Sequence, residues 1–117
     1  MAMEIARLIE RIQQKIAEVE SLYQRQSGGA SFCQVQRDGR VTGGLKYEEG
    51  RMVALHFARR ALQQRGEAGL ADIEEEEQTW LKALADLQAK PSLPMLWLAY
   101  RQGGVDAFHW LREQFGE

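Results

Sequence analysis

The 117-residue chain contains no asparagine, one cysteine, two prolines and two histidines, and no long apolar run. Each scarcity excludes something. Cys33 alone cannot form an intramolecular disulfide, and Ile5, Leu8, Ile9 and Ile12 are separated by Arg7, Glu10 and Arg11 where a secretory leader would be uniformly apolar. The expected location is therefore the cytoplasm. The most apolar stretch, Leu93 to Tyr100, is eight residues long and includes Pro94, well short of the roughly 18–20 residues of a bilayer span. No membrane contact is expected. Missing asparagine follows equally from selection against deamidation and from genome composition, so it discriminates nothing.

Neither sign of charge is in excess. Fifteen lysines and arginines against 17 aspartates and glutamates give a net charge of -2, unlike a polycationic nucleic-acid binder, and the 44% hydrophobic content suits a single domain over residues 1–117.

Complete chemical motifs are also wanting. Gly39-Arg40-Val41-Thr42-Gly43-Gly44-Leu45-Lys46 has the two glycines of a phosphate-cradling loop, but Leu45 stands at the lysine position. Lys46 comes one residue late and is followed by Tyr47 in place of the Ser or Thr that would hold magnesium, so only a looser anion site, using Lys46 at a helix start, is left. His109 and Glu113 lie one helical turn apart, yet two ligands are too few for a metal centre and no Glu-x-x-His pair occurs. Leu98 to Phe115 has the spacing of a helix-turn-helix, with Ala99 four residues before Gly103, but the second helix would offer Arg112 as its one strong cation. No motif resembles a known family, and no metal, cofactor or enzymatic activity is expected.

What the chain does have is helical periodicity. Ile5, Ile9, Ile12, Ile16, Val19 and Tyr23 fall at spacings of 4, 3, 4, 3 and 4, a 3.5-residue repeat that predicts one helix over 2–26, with Leu8 and Leu22 widening its seam. Such a seam serves either a bundle within the chain or a homo-oligomer. Residues 27–50 then lose the period and hold six of the eleven glycines. Asp38-Gly39 is a type I′ turn signal that pairs Val35 with Thr42 and Phe32 with Leu45, so a β-hairpin is expected here.

Helical patterning returns over 46–65. One side gathers Tyr47, Ala54, Leu55, Phe57, Ala58, Ala61 and Leu62, and the other carries Met52, His56, Arg59, Arg60 and Gln63. Asp72 with Glu75 resembles a capping box that starts a third helix over 72–90. Glu77 falls inside the apolar stripe of Ile73, Trp80, Leu81, Leu84 and Leu87, where a carboxylate needs a partner; an arginine from a neighbouring helix is the expected one. Gly103-Gly104 predicts a break, giving residues 91–117 the form of an aromatic helical hairpin.

The fold expected is thus a mainly α, small helical bundle with a long N-terminal helix and one Gly-rich β-hairpin inserted between helices 1 and 2. Its expected role is non-catalytic: a self-associating protein–protein interaction module, such as an adaptor, assembly factor or small complex subunit. Ile9, Ile12 and Ile16 on the seam and Trp97, Tyr100 and Trp110 in the tail are the expected contact residues, since tryptophan and tyrosine are enriched at binding hot spots. The alternative is a nucleic-acid-associated regulator or ribonucleoprotein subunit that meets phosphate through Arg37, Arg40, His56, Arg59 and Arg60.

Overall fold

The computed structural model describes residues 4–28 and 42–116, and these form a helical bundle. Four α-helices follow in order: α1 (Ile5–Ser27), α2 (Gly43–Arg65), α3 (Gly69–Gln88) and α4 (Met95–Phe115), with a single 3-10 turn, Gly66–Ala68, between α2 and α3. None of them is long and apolar enough to cross a membrane.

The mainly α bundle agrees with the sequence reading; the hairpin does not. No strand occurs among the described residues. Gly43, Gly44 and Leu45, assigned to the second strand, are the first turn of α2, because the Thr42 side chain accepts the Leu45 amide at 3.2 Å and so caps the helix. Phe32, Val35 and the Asp38-Gly39 turn lie outside the described residues. The start of α3 also differs. It begins at Gly69 with no side-chain cap, and Asp72, the proposed capping residue, instead pairs with Arg65 at 2.8 Å. Gly66 makes the reversal from α2 with φ 59 and ψ -134, a conformation that side chains other than glycine's resist.

The C-terminal helical hairpin is likewise corrected. α4 runs unbroken through Gly103 and Gly104. A Cβ at Gly103 would collide with the backbone of Tyr47 in α2, one at Gly50 would collide with the carbonyl of Tyr100 in α4, and one at Gly104 would enter the Trp80 ring. The glycines are thus where α2 and α4 touch backbone to backbone. Each costs the helix about 1 kcal/mol in propensity relative to alanine, and the closer packing of three elements offsets that.

α2 is central, packing against α1, α3 and α4. Its core residues Ala54, Leu55, Ala58, Ala61 and Leu62 meet Leu8, Ile12, Ile16 and Val19 of α1, Ile73 and Trp80 of α3, and Ala107, Phe108 and Leu111 of α4. The buried face of α1 is Leu8, Ile12, Ile16, Val19, Tyr23 and Ser27. Its spacing is nearer to four than to three and a half, as for a straight helix laid on another. Ile5 and Ile9 are only partly buried beside it.

Candidate functional site

The apolar side chains left in water are concentrated before and within the first turn of α4. Leu93 is 53% exposed, Met95 67%, Leu96 39% and Trp97 53%. Pro94 occupies the N-cap position, and the helix begins immediately after it. One turn of helix cannot place three consecutive large side chains on the same face, so only part of this ridge is able to pack inward.

The inward part is well anchored. The Trp97 ring meets Tyr100 edge-on at 5.7 Å, Tyr100 lies 5.1 Å from Trp80, and Trp80 lies 6.2 Å from Phe108 in the core. A ladder of four rings thus runs from solvent to interior. Lys46 of α2 holds its ammonium 4.7 Å from the Trp97 centroid and 5.8 Å from Tyr100, with Glu49 at 3.1 Å. Arg101 covers Trp80 at 4.6 Å. A cation over a ring is attracted by its quadrupole, so Lys46 fixes the orientation of Trp97 from below while the ring's other atoms stay exposed. Burial pushes the Tyr100 phenol above its ordinary range, with Glu49 adding to the effect.

Of the six expected contact residues, the structure brings Trp97 and Tyr100 together and separates the rest. Ile12 and Ile16 are buried within one chain, so the surface assigned to them is closed. Ile9 is partly buried at the edge of that core. Trp110, off the main stripe of α4, packs toward α1 with Lys15 5.1 Å from its ring centroid. Lys46, Trp80 and Arg101 were missed as supports of the ridge, because their partners come from other helices and no spacing along the chain connects them.

Arg59 donates to His56 Nδ1 at 3.0 Å, with Glu20 of α1 3.9 Å from the other ring nitrogen. Burial, then the positive Arg59 beside it, hold the His56 pKa below its ordinary value. Arg60 lines one groove with His56 and Glu76 and another with Arg65, Asp72, Glu75 and Glu76. These acids counter the positive potential a phosphate would seek. Arg37 and Arg40 lie outside the described residues, as does Cys33.

Two further polar clusters join helices. Tyr47 donates to Asp106 Oδ2 at 2.5 Å, and Gln102 Nε2 donates to Oδ1 at 2.8 Å, so both carboxylate oxygens are engaged. Burial and this acceptor push the Tyr47 phenol up to about 12. The cluster thus clamps α2 to α4. Glu77, buried as its place in the stripe implied, receives Arg112 of α4 as counter-ion. Among the described residues no three histidine, cysteine, aspartate or glutamate side chains are grouped to hold a metal, and His109 has Glu113 alone at 3.2 Å.

Comparison with known proteins yields no match: no family model fits the chain, and neither a curated protein nor a solved structure is significantly similar to it.

Proposed function

We propose that this protein is a non-catalytic helical interaction module that self-associates through the ridge Leu93, Met95, Leu96 and Trp97. The observation that carries this reading is the exposure of those four side chains before and within the first turn of α4. Large apolar side chains are seldom left together in water without a contact to make.

Magnitudes support a modest association. Full burial of such a side chain contributes about 1.5–3 kcal/mol, and roughly half of that is still to be gained here. Four per copy, counted on two copies, give about 6–12 kcal/mol, close to the approximately 4–15 kcal/mol that association costs in lost freedom. A dimer of this kind would form and dissociate with concentration. Beside the ridge the Lys46–Glu49 pair is largely buried, so the apolar side chains themselves would carry the contact.

Light scattering over a concentration series tests the proposal. The mass should rise above 13.4 kDa as concentration increases, and the double variant Met95→Lys with Trp97→Lys should stay monomeric with an unchanged circular dichroism spectrum. A wild-type chain that stays monomeric at every concentration, or a variant that associates as the wild type does, overturns it.

A further inference from the structure

At the opposite end of α4 from the ridge, a pocket of about 270 Å³ opens between α3 and α4, lined by Leu70, Ile73, Phe108 and Phe115 with Glu74, Glu77 and Arg112. About 15 residues of helix, roughly 22 Å at 1.5 Å per residue, separate Trp97 from Arg112. The two places are independent.

The charges in this pocket are arranged unequally. Glu77 is only 8% exposed and sits in an apolar wall, whereas the Arg112 side chain that neutralises it is 61% exposed. Two carboxylates, Glu74 and Glu77, face one guanidinium, and both favour the positive form of Arg112. A buried carboxylate in apolar surroundings needs a cation beside it. Arg112 supplies that cation from outside, with most of its side chain in water.

From this geometry we infer that the pocket binds a small amphiphilic cation, an apolar or aromatic body carrying a primary ammonium group. The body occupies the space between Leu70, Ile73, Phe108 and Phe115, and the ammonium takes the place of the Arg112 guanidinium at Glu77, with Glu74 as second acceptor. A carboxylate-bearing molecule of the same shape would meet two like charges and is disfavoured. Because the ligand must displace an internal counter-ion, binding to the unaltered chain is weak, of the order of 1 mM for so small a molecule.

Phenethylamine, 3-phenylpropionate and 2-phenylethanol are the probes, and amide chemical-shift changes on titration are the readout. Phenethylamine alone should bind, with shifts centred on Leu70, Ile73, Phe108, Arg112 and Phe115. Arg112→Gln, which removes the competitor, should tighten it about tenfold, the worth of one charge-assisted contact. Glu77→Gln should abolish it. Leu70→Trp, which fills the pocket and leaves the ion pair intact, should abolish it too, and so keeps the test decisive if Glu77→Gln fails to fold. Equal or tighter binding of 3-phenylpropionate, no phenethylamine shifts, or shifts that persist in the folded Glu77→Gln or Leu70→Trp chain would overturn the assignment. Association through the ridge is unaffected by any of these results.

Discussion

Gly50 of α2 lies directly beneath the Tyr100 carbonyl of α4, with no room for a Cβ between them, and Gly103 of α4 stands in the same relation to the Tyr47 backbone. Overfilling such a contact forces the helices apart. Gly50→Ala should therefore lower the unfolding free energy by about 1–3 kcal/mol in denaturant titration. Gly43→Ala is the control: a Cβ there meets nothing within 4 Å, and the loss of freedom in the unfolded chain should raise stability by up to about 1 kcal/mol. Equal stability of the Gly50 variant and the wild type would mean that the helices do not approach this closely.

The Thr42 side chain caps the amide of Leu45. Thr42→Ala should cost about 1 kcal/mol, and Thr42→Ser should recover most of it. Thermal unfolding followed at 222 nm separates this from a hairpin at the same position, for which serine and alanine would differ little.

Tyr47 should ionise well above the ordinary range of a phenol. Its folded pKa, about 12, is raised above the ordinary value of 10.0. The stabilisation from this phenol is therefore complete below pH 10 and is lost as pH rises through about 12. In ultraviolet titration, Tyr47→Phe should remove a tyrosinate component that appears near pH 12. The same substitution should make stability less sensitive to alkali.

His56 reports at the other end of the scale. Its folded pKa lies below the ordinary 6.5 because of burial and of Arg59 and Arg60, against a smaller opposing pull from Glu20. The unfolded chain binds the proton first, so stability is fully present above about pH 6.5 and declines as pH falls through the lower folded pKa. Melting temperatures between pH 7.5 and 5.5 should fall more steeply for the wild type than for His56→Gln. Parallel slopes would place the ring in water.

The α1 helix, the apolar side of α2 and the burial of Glu77 were legible in the sequence, because each rests on periodicity within one segment. What stayed hidden depends on contacts between segments. Gly43-Gly44 has the composition of a loose strand, and only the capping bond of Thr42 turns it into a helix start. Gly103-Gly104 looks like a stop signal, and the absence of side chains there is instead what α2 and Trp80 require. At the candidate site, the aromatic content of 97–100 was visible while its support was not. Trp97 is held by Lys46, more than fifty positions earlier, and Tyr100 by Trp80 on a third helix. Whether Ile12 and Ile16 pack within the chain or between copies stayed open for the related reason that the small-residue face of α2, which covers them, cannot be docked onto α1 from spacing alone.

Among the described residues α1 packs mainly against α2; it touches α4 sparingly, where Arg11 bonds Gln114 and Lys15 covers Trp110. Unzipping α1 would undo one seam, whereas extracting α2 would undo three. The first helix is in effect a clasp fastened on a three-helix body, and its amide protons should exchange with deuterium well ahead of those in the helix it grips.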